Sequence, residues 1–416
     1  MNVVMVGQFW FPRGSANAAR IRNLALGLRE RGARVHVITM VPRPATKSGG
    51  SSNGGGEYLG ISYECVAPTT AAVSGWRDRD RTVPLLRGQL GDKLRWFVGL
   101  YAATLFATRR LRERIDRHAC DLVFVYDRSA LRMTPLVRLC RKRQVPCVLD
   151  VTETSEQFGR RLSPLYWDVA LGARLTPRLF DGLTVITTGL ETFYRALGCA
   201  RTLVLPAVEE WPPATPPGPT GNPEFRLAYV GSLLPRDAPE MLLETVRLVA
   251  DRGLRLSLHV IGQYEGTERG RRFVRRCASD PTLSRLVRFL GTLSDAGLAE
   301  RLAACDGLVL TRRDARTEVL SFPTRLVEYL RCGRPVFVSD VGDVSRYVRD
   351  GHEVVLLDPR DPARAAAAMA EVISRPDRGA SIGCSGREAG ARSFDREVHA
   401  ARLLEFAAAL GAGGTA

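Results

Sequence analysis

Residues 321–335 read Ser-Phe-Pro-Thr-Arg-Leu-Val-Glu-Tyr-Leu-Arg-Cys-Gly-Arg-Pro and form the most specific pattern in the chain. Pro323 suits the first turn of a helix, and Gly333 suits the left-handed residue that ends one, so about two to three helical turns fit between them. Thr324 and Glu328 then share one helix face. The N–H groups at the start of such a helix attract phosphate. The stretch therefore predicts a ligand-binding loop with one acid, although Glu328 is equally compatible with an ordinary solvated helix position.

Strand and helix patterns alternate on both sides of this loop. The run 307–311 is short and apolar, which indicates a strand buried in a parallel sheet. Near the amino terminus, a strand at 3–6, a helix at 16–31 and a strand at 34–39 form a predicted βαβ unit. Further strands are predicted at 122–126, 147–151, 183–186, 226–229, 256–261, 287–290, 336–339 and 353–357, and further helices at 239–250, 295–304, 362–373 and 396–410.

The segment 209–223 is rich in proline and glycine and is predicted to join two domains. We expect the fold class to be α/β, with two Rossmann-like doubly wound domains facing a central cleft. The predicted organisation is a first domain at 1–210, a linker at 211–223, a second domain at 224–390, and a last helical segment at 391–416 that returns to the first domain. The Gly- and Ser-rich stretch 43–56 is predicted to be a mobile surface loop.

Composition excludes several classes of protein. The chain has 416 residues, of which 45% are hydrophobic, so two sizeable cores are expected. The nine cysteines include no Cys-x-x-Cys pair, and neither they nor the five histidines have the spacing of a zinc site. The start shows no basic leader with a cleavage site, and the longest apolar run, 96–107, is too short to span a bilayer. A cytoplasmic location is expected.

The formal net charge of +16 is carried by arginine, because only Lys47, Lys93 and Lys142 are lysines. The arginine clusters lack interleaved aromatic residues, so nucleic acid is not an expected partner. An anionic membrane surface is a candidate partner, since the apolar segment 96–101 is flanked by basic residues. That would place the protein at the inner membrane face as a peripheral protein. The alternative for this segment is an ordinary core helix.

Several motifs together resemble the retaining glycosyltransferases of family four, which have the GT-B fold and are also described as glycosyltransferase group 1. The resemblance covers nearly the whole chain. It rests on residues 14–35, 229–233, 287–291, 322–330 and 333–336. It implies an enzyme, of hexosyltransferase type, that moves a sugar from a nucleotide diphosphate to an acceptor hydroxyl with retention of configuration. In this family the first domain binds the acceptor and the second binds the nucleotide-sugar.

The resemblance also implies which residues bind the donor. Gly14 is expected to approach the diphosphate through its backbone N–H, although a plain strand-to-helix turn explains it equally well. Arg236 takes the place of a lysine common in the family, and it would stabilise the leaving diphosphate, although it is also compatible with a solvated arginine. Glu328 would accept hydrogen bonds from the ribose. The full expected donor set is Gly14, Ser15, Gly231, Ser232, Arg236, Ser321, Thr324, Arg325, Leu326 and Glu328.

Three acids are candidates for the remaining roles. The family commonly has a second acid eight residues before the ribose-binding one, but here that position is Leu320. Glu318, two residues earlier, is a candidate substitute that would contact the donor sugar. Glu153 is expected to hold the acceptor hydroxyl, so Glu153, Arg236 and Glu318 form the expected catalytic set. Asp150 suits either acceptor binding or burial with a paired helix terminus.

The expected reaction needs no protein nucleophile, because in the mechanism proposed for this family the leaving diphosphate itself takes the acceptor proton. Neither a metal nor another cofactor is expected for such a reaction. The acceptor is left open among natural-product scaffolds, glycolipids and polysaccharide chains. Two alternatives remain, a nucleotide-sugar epimerase of the same architecture and a catalytically silent nucleotide-binding scaffold.

Overall fold

The chain divides into two compact units. Unit 1 comprises Met1–Glu210 and Arg396–Ala416, and unit 2 comprises Trp211–Asp395. The structure is a computed structural model, and it describes residues 1–12, 14, 16–41, 54–66, 90–127, 129–153, 164–213, 217–218, 221–313 and 320–412. Residues 43–53 of the predicted loop at 43–56 therefore lie outside the described residues.

The described residues of unit 1 form an eight-stranded sheet in the order β3-β4-β2-β1-β5-β6-β7-β8. The strands are β1 (Asn2–Gly7), β2 (Arg34–Thr39), β3 (Gly56–Tyr58), β4 (Ile61–Cys65), β5 (Leu122–Tyr126), β6 (Cys147–Val151), β7 (Gly182–Val185) and β8 (Thr202–Val204). The helices are α1 (Ala16–Glu30), α2 (Leu90–Arg117), α3 (Thr134–Lys142), α4 (Pro164–Leu179) and α5 (Thr188–Ala196). Only the pairing of β3 with β4 is antiparallel.

Unit 2 contains a six-stranded, wholly parallel sheet in the order β11-β10-β9-β12-β13-β14 within its described residues. The strands are β9 (Phe225–Val230), β10 (Leu256–Ile261), β11 (Val287–Gly291), β12 (Gly307–Leu310), β13 (Val336–Ser339) and β14 (Val355–Leu357). The helices are α6 (Pro239–Ala250), α7 (Glu268–Ser279), α8 (Pro281–Leu286), α9 (Asp295–Ala303), α10 (Arg325–Arg331), α11 (Val344–Tyr347), α12 (Pro362–Ile373) and α13 (Pro376–Phe394).

Each sheet has one point where its strand order reverses. In unit 1 the chain moves outward from β1 through β2 and then restarts beside β1 with β5. In unit 2 it moves outward from β9 through β10 and β11 and then restarts beside β9 with β12. Ligands of open parallel sheets bind outside the carboxyl ends of the strands at such a reversal. The doubly wound α/β fold class is confirmed, and the β1/β5 and β9/β12 strand ends are the positions to search for a site.

Helix α13 is absent from the predicted helices, because its glycines disfavour a helix by about 1 kcal/mol each relative to alanine. Tertiary packing explains why it forms. A Cβ atom on Gly383 would overlap the carbonyl of Gly333, and one on Gly390 would overlap the ring of Trp211. The glycines therefore allow α13 to lie directly against neighbouring backbone. The short strands β3, β4 and β8 are also absent from the prediction.

The last helix, α14 (Arg396–Ala412), belongs to unit 1. Leu403 and Ala407 are buried in the same core as the residues of β1 and α1. Gly27 of α1 allows a close approach, since a Cβ there would lie 2.5 Å from the Arg396 carbonyl oxygen. The Arg396 N–H donates to the Glu209 carbonyl (2.8 Å), and its guanidinium pairs with Glu30 (2.6 Å). These contacts fix the point where the chain re-enters unit 1.

The apolar segment at 96–107 lies in α2. The side chains of 90–98 and 100 lie outside what the structure describes. Of those that follow, Ala103 and Ala107 are buried, whereas Leu105 is 60% and Phe106 is 51% exposed. Among the described residues, no helix has both the length and the apolar character needed to cross a bilayer. Helix α2 thus buries one face and exposes large apolar side chains on another.

Candidate functional site

Glycines tie the carboxyl ends of β9, β10 and β11 together in unit 2. The Gly231 N–H donates to the Ile261 carbonyl (2.9 Å), and the Gly262 N–H donates to the Gly291 carbonyl (2.8 Å). Gly262 has φ 130°, and a Cβ on it would overlap the carbonyl of Gly231. Gly231 and Ser232, which follow β9, are half-buried. The strand ends therefore present close-packed backbone without intervening side chains at this edge.

The turn that carries Arg236 is held from both sides. Asp237 accepts a hydrogen bond from the Leu234 N–H (2.9 Å), and its backbone carbonyl accepts one from the Thr311 hydroxyl (2.6 Å) at the end of β12. The Arg313 N–H donates to the Arg236 carbonyl (3.0 Å). The Arg236 side chain is exposed. The turn is thus fixed at the β9/β12 reversal, and the guanidinium of Arg236 extends into solvent.

A buried tyrosine brings the 321–335 segment to the same edge. The Tyr329 hydroxyl accepts a hydrogen bond from the Val230 N–H (2.8 Å). Burial raises the pKa of Tyr329, so the hydroxyl stays protonated. Because Tyr329 is next to Glu328 and Val230 is next to Gly231, this bond places the two predicted donor-binding segments beside each other.

The loop before α10 is anchored by aromatic contacts. Phe322 is buried against Tyr347 and Phe394, with ring centroids 5.7 and 5.6 Å away. Helix α10 begins at Arg325, so Pro323 lies before the helix rather than in its first turn as predicted. Gly333, with φ 67°, ends the segment in the left-handed conformation as expected.

The predicted donor-binding residues on and just before α10 differ in how accessible they are to a ligand. The Leu326 N–H donates to the Pro323 carbonyl (2.8 Å), and the Leu326 side chain is buried. Ser321 and Thr324 are half-buried. Glu328 pairs with Arg325, and its side chain is 37% exposed. Exposed pairs of this kind contribute about 0–1 kcal/mol, so a ligand can replace Arg325 as the partner of Glu328 at little cost.

Other predicted residues lie elsewhere. Ser15 and Glu318 lie outside the described residues. Gly14 is exposed, two residues before α1 in unit 1, and a Cβ on it would lie 2.9 Å from the Cβ of Trp10. Leu320, which occupies the position of the expected second acid, is half-buried.

Asp150, at the end of β6 in unit 1, is buried, and both of its carboxylate oxygens accept hydrogen bonds. Its carboxylate accepts two hydrogen bonds from Arg20 of α1 (2.7 and 2.9 Å) and one from the Thr184 hydroxyl (2.7 Å). Burial by itself would lower the pKa of Arg20. The charge of Asp150 and its hydrogen bond together raise that pKa by more, so the pKa of Arg20 is raised. Of the two interpretations left open for Asp150, the structural one applies, and its partner is an arginine side chain instead of a helix terminus.

Glu153, by contrast, lines a cavity at the carboxyl ends of β5 and β6. The Tyr126 and Thr152 hydroxyls lie 3.1 Å apart in its wall. Asp127 also lines it. The cavity is partly open and has a volume of about 20 Å³, roughly the room that one water molecule needs.

Asp127 belongs to a buried polar cluster that the sequence prediction missed. The cluster consists of Asp127, Ser129, Arg132 and Asp168. Arg132 pairs with Asp127, and the Ser129 hydroxyl donates to Asp168 (2.8 Å). A signal was present in the sequence, because Asp127 directly follows the apolar strand 122–126, as Asp150 lies at the end of the strand 147–151.

Two family descriptions match this chain. Residues 17–207 match the family described as "Glycosyl transferase 4-like domain", and residues 224–375 match "Glycosyl transferases group 1". The chain belongs to the group 1 glycosyltransferases. The family expected from the sequence is thereby confirmed, and the second match contains both the Gly231–Arg236 turn and the 321–335 segment.

Curated relatives of this chain include a D-inositol 3-phosphate glycosyltransferase from Geodermatophilus obscurus, which is 36% identical over 41% of this chain and 38% of that protein. The chain spans about two fifths of the length of such relatives. A GDP-mannose-dependent alpha-(1-6)-phosphatidylinositol monomannoside mannosyltransferase from Mycobacterium tuberculosis is 23% identical over 71% of this chain and 78% of that protein.

Solved structures show the same fold for this chain. Sucrose-phosphate synthase from Thermosynechococcus elongatus aligns with a TM-score of 0.67 at 15% identity, covering 99% of this chain and 100% of that one. Anabaena HepE in complex with UDP aligns with a TM-score of 0.63 at 15% identity, covering 98% and 100%. The GT-B fold expected from the sequence is confirmed.

Substituting Asp150 by alanine is expected to lower the free energy of unfolding by about 3–5 kcal/mol, because Arg20 would remain buried without its counter-ion. Denaturant unfolding followed by circular dichroism measures the change. Asp116→Ala is the control, since it removes an exposed pair with Arg143 (2.7 Å) that should contribute about 0–1 kcal/mol. Equal losses in the two variants would contradict the structural role of Asp150.

Proposed function

We propose that this glycosyltransferase transfers a sugar from a nucleotide diphosphate to an acceptor hydroxyl with retention of anomeric configuration. One observation carries the proposal: the Tyr329–Val230 hydrogen bond joins the 231–236 turn and the 321–335 segment at the β9/β12 reversal of unit 2. That is where open parallel sheets bind their ligands. Natural-product, glycolipid and polysaccharide biosynthesis are the pathways in which such a transfer is used.

In this proposal the donor is bound mainly by unit 2. Glu328 accepts hydrogen bonds from the ribose in place of its half-buried partner Arg325. Gly231 and Ser232 let the diphosphate approach the backbone, and Arg236 neutralises its charge. The guanidinium of Arg325, released from Glu328, adds a second cation. Ser321, Thr324 and Leu326 shape the loop and the start of α10. The donor roles of Gly14 and Ser15 in unit 1 stay predictions.

The proposed chemistry depends on stabilising the leaving group. Negative charge develops on the diphosphate as the sugar departs, so fixed cations and N–H groups lower the barrier more than a protein base would. The departing phosphate oxygen takes the acceptor proton on the same face, which retains configuration. Glu153 holds the acceptor hydroxyl, and Glu318 contacts the transferred sugar. The proposed reaction uses no metal ion or prosthetic group.

The comparisons support a nucleotide-sugar donor and give two nucleotides to try first. HepE was solved with UDP and with UDP-glucose. The mycobacterial relative is described as dependent on GDP-mannose. We therefore propose UDP- and GDP-sugars as the donors to test.

Glu328→Ala is expected to weaken binding of the preferred nucleoside diphosphate by roughly 1–3 kcal/mol, the scale of a lost hydrogen bond to a charged group. Calorimetry on the full chain measures the change. Glu371→Ala is the matched control, because Glu371 is also a helical acid of unit 2 paired with arginine, Arg375 at 3.4 Å. Unchanged affinity in Glu328→Ala would remove Glu328 from the site, and no diphosphate binding by the wild type would contradict the proposed donor site.

We also propose that unit 1 contacts an anionic membrane surface from the cytoplasmic side. Beside the exposed Leu105 and Phe106 of α2, Arg109 and Arg110 are exposed, and α4 exposes Trp167 (59%) and Leu171 (47%). Apolar side chains next to arginines suit the lipid interface, where each basic residue near the surface contributes about 1 kcal/mol. Such a position would suit a lipid-linked acceptor.

Replacing both Leu105 and Phe106 by serine is expected to reduce partitioning onto vesicles with anionic lipid by at least about tenfold, because each side chain loses about 1.5–3 kcal/mol of apolar burial. Vesicle flotation at low salt measures the bound fraction. The control is Phe193→Ser with Val398→Ser, which removes two 40% exposed side chains on other helices of unit 1. Equal flotation of wild type and the first variant would contradict the proposed contact.

A further inference from the structure

A buried acid lies in the turn that carries Arg236. Asp237 is buried, and its Oδ2 accepts a hydrogen bond from the Leu234 N–H (2.9 Å). Its Oδ1 lies 3.4 Å from the guanidinium of Arg312, two residues after β12. These contacts fix the carboxylate of Asp237 at the β9/β12 reversal. A negative charge therefore lies on the same turn as the cation proposed to bind the diphosphate.

The ion pair between Asp237 and Arg312 is largely shielded from solvent, with side chains that are 10% and 13% exposed. The Arg312 N–H donates to the Ser339 hydroxyl (3.0 Å) at the end of β13. The Thr311 hydroxyl donates to the Asp237 carbonyl (2.6 Å). Backbone contacts at two strand ends thus hold both residues, and salt screens so little-exposed a pair less than it screens a surface pair.

The charge of Asp237 reaches the strand end where the diphosphate is proposed to bind. A Cβ on Gly231 would overlap the Tyr229 hydroxyl, so this hydroxyl lies directly against Gly231. Burial, and after it the charge of Asp237, raise the pKa of Tyr229. An anion beside Gly231 would feel the same carboxylate, because electrostatic interactions extend over a Debye length of about 8–10 Å.

A carboxylate at this position acts unequally on the two nucleotides of the proposed reaction. Both phosphates of the sugar nucleotide are esterified. The nucleoside diphosphate product instead has a terminal phosphate, which, like a phosphate monoester, carries about −1.5 to −2 charges near pH 7. Repulsion from Asp237 therefore weakens binding of the product more than binding of the donor, and Arg312 offsets part of that repulsion.

We propose that Asp237 and Arg312 together set the affinity of the phosphate site, so that the nucleoside diphosphate product is released while the sugar nucleotide still binds. Asp237 weakens the binding of the product by the Arg236 turn. Arg312 keeps the repulsion small enough for the donor to bind. Both residues act through their charge and need not touch the ligand. This inference rests on the proposed donor site of unit 2.

Two substitutions with effects of opposite sign test the proposal. Asp237→Asn keeps an oxygen acceptor for the Leu234 N–H but removes the charge. It is expected to tighten binding of UDP or GDP, whichever the wild type prefers, about three- to tenfold. Arg312→Gln removes this counter-ion of Asp237 and is expected to weaken the same binding by a similar factor. Calorimetry on the full chain measures both changes.

Three ligands separate an effect of charge from an effect on structure. In Asp237→Asn the matching sugar nucleotide, UDP-glucose or GDP-mannose, is expected to gain less affinity than the diphosphate, and the uncharged nucleoside is expected to gain none. A purely structural role of the ion pair would weaken binding of all three ligands in both variants. That pattern, or diphosphate binding that is unchanged or weaker in a folded Asp237→Asn variant, would overturn the proposal.

A double variant and a matched control complete the test. Adding Asp237→Asn to Arg312→Gln is expected to restore diphosphate affinity to near that of the wild type, and this comparison decides if Asp237→Asn alone does not fold. The controls are Asp251→Asn and Arg252→Gln, the same charge changes at exposed positions between α6 and β10, at the opposite end of the strands. Neither control is expected to change diphosphate affinity. A double variant that binds no better than Arg312→Gln contradicts the proposal.

Failure of this inference can be separated from failure of the proposed function. A wild type that binds neither UDP nor GDP would remove the donor site, and this inference with it. A wild type that binds one of them, in the absence of the opposite effects described above, keeps the donor site and loses only the role of Asp237 and Arg312.

Discussion

The buried ion pair between Arg20 and Asp150 organises unit 1. Arg20 lies on α1, Asp150 ends β6, Thr184 of β7 donates to the same carboxylate, and Arg20 also donates to the carbonyls of Leu205 and Pro206. One desolvated pair thus joins four parts of the chain, and removing either partner would strand a charge in the interior. This ion pair also limits which acids can bind a ligand. With Asp150 committed to structure, Glu153 and Asp127 are the acids left at this sheet edge.

In unit 2, hydrogen bonds and glycines join the parts of the chain. Tyr329 uses its hydroxyl to satisfy the N–H of Val230, and the same bond brings α10 to the end of β9. Gly231 and Gly262 allow the strand ends to close on each other. The Arg236 turn is then fixed by contacts from the end of β12. Rigid backbone therefore surrounds side chains that are exposed or only weakly paired, which is the arrangement a ligand needs.

Patterns in the sequence predicted elements where local preference and tertiary packing agree. The bounds predicted for β10, α6 and α12 match the structure. Helix α13 was missed because its glycines oppose a helix locally and are required only by the close approach of Gly333 and Trp211. For the candidate site, the sequence predicts Glu328 and Glu153, but it could not show that Arg325 pairs with Glu328 or that Arg20 reaches Asp150, 130 residues away. Such pairings depend on tertiary geometry.

We expect the β9/β12 edge of unit 2 to bind the nucleotide of the donor. Hydrogen–deuterium exchange of the full chain, with and without UDP and GDP, tests it most directly. Slower exchange with the bound nucleotide is expected in peptides covering 229–238 and 320–331, with the largest change of the whole chain there. Binding of a nucleotide with unchanged exchange in both segments would contradict it.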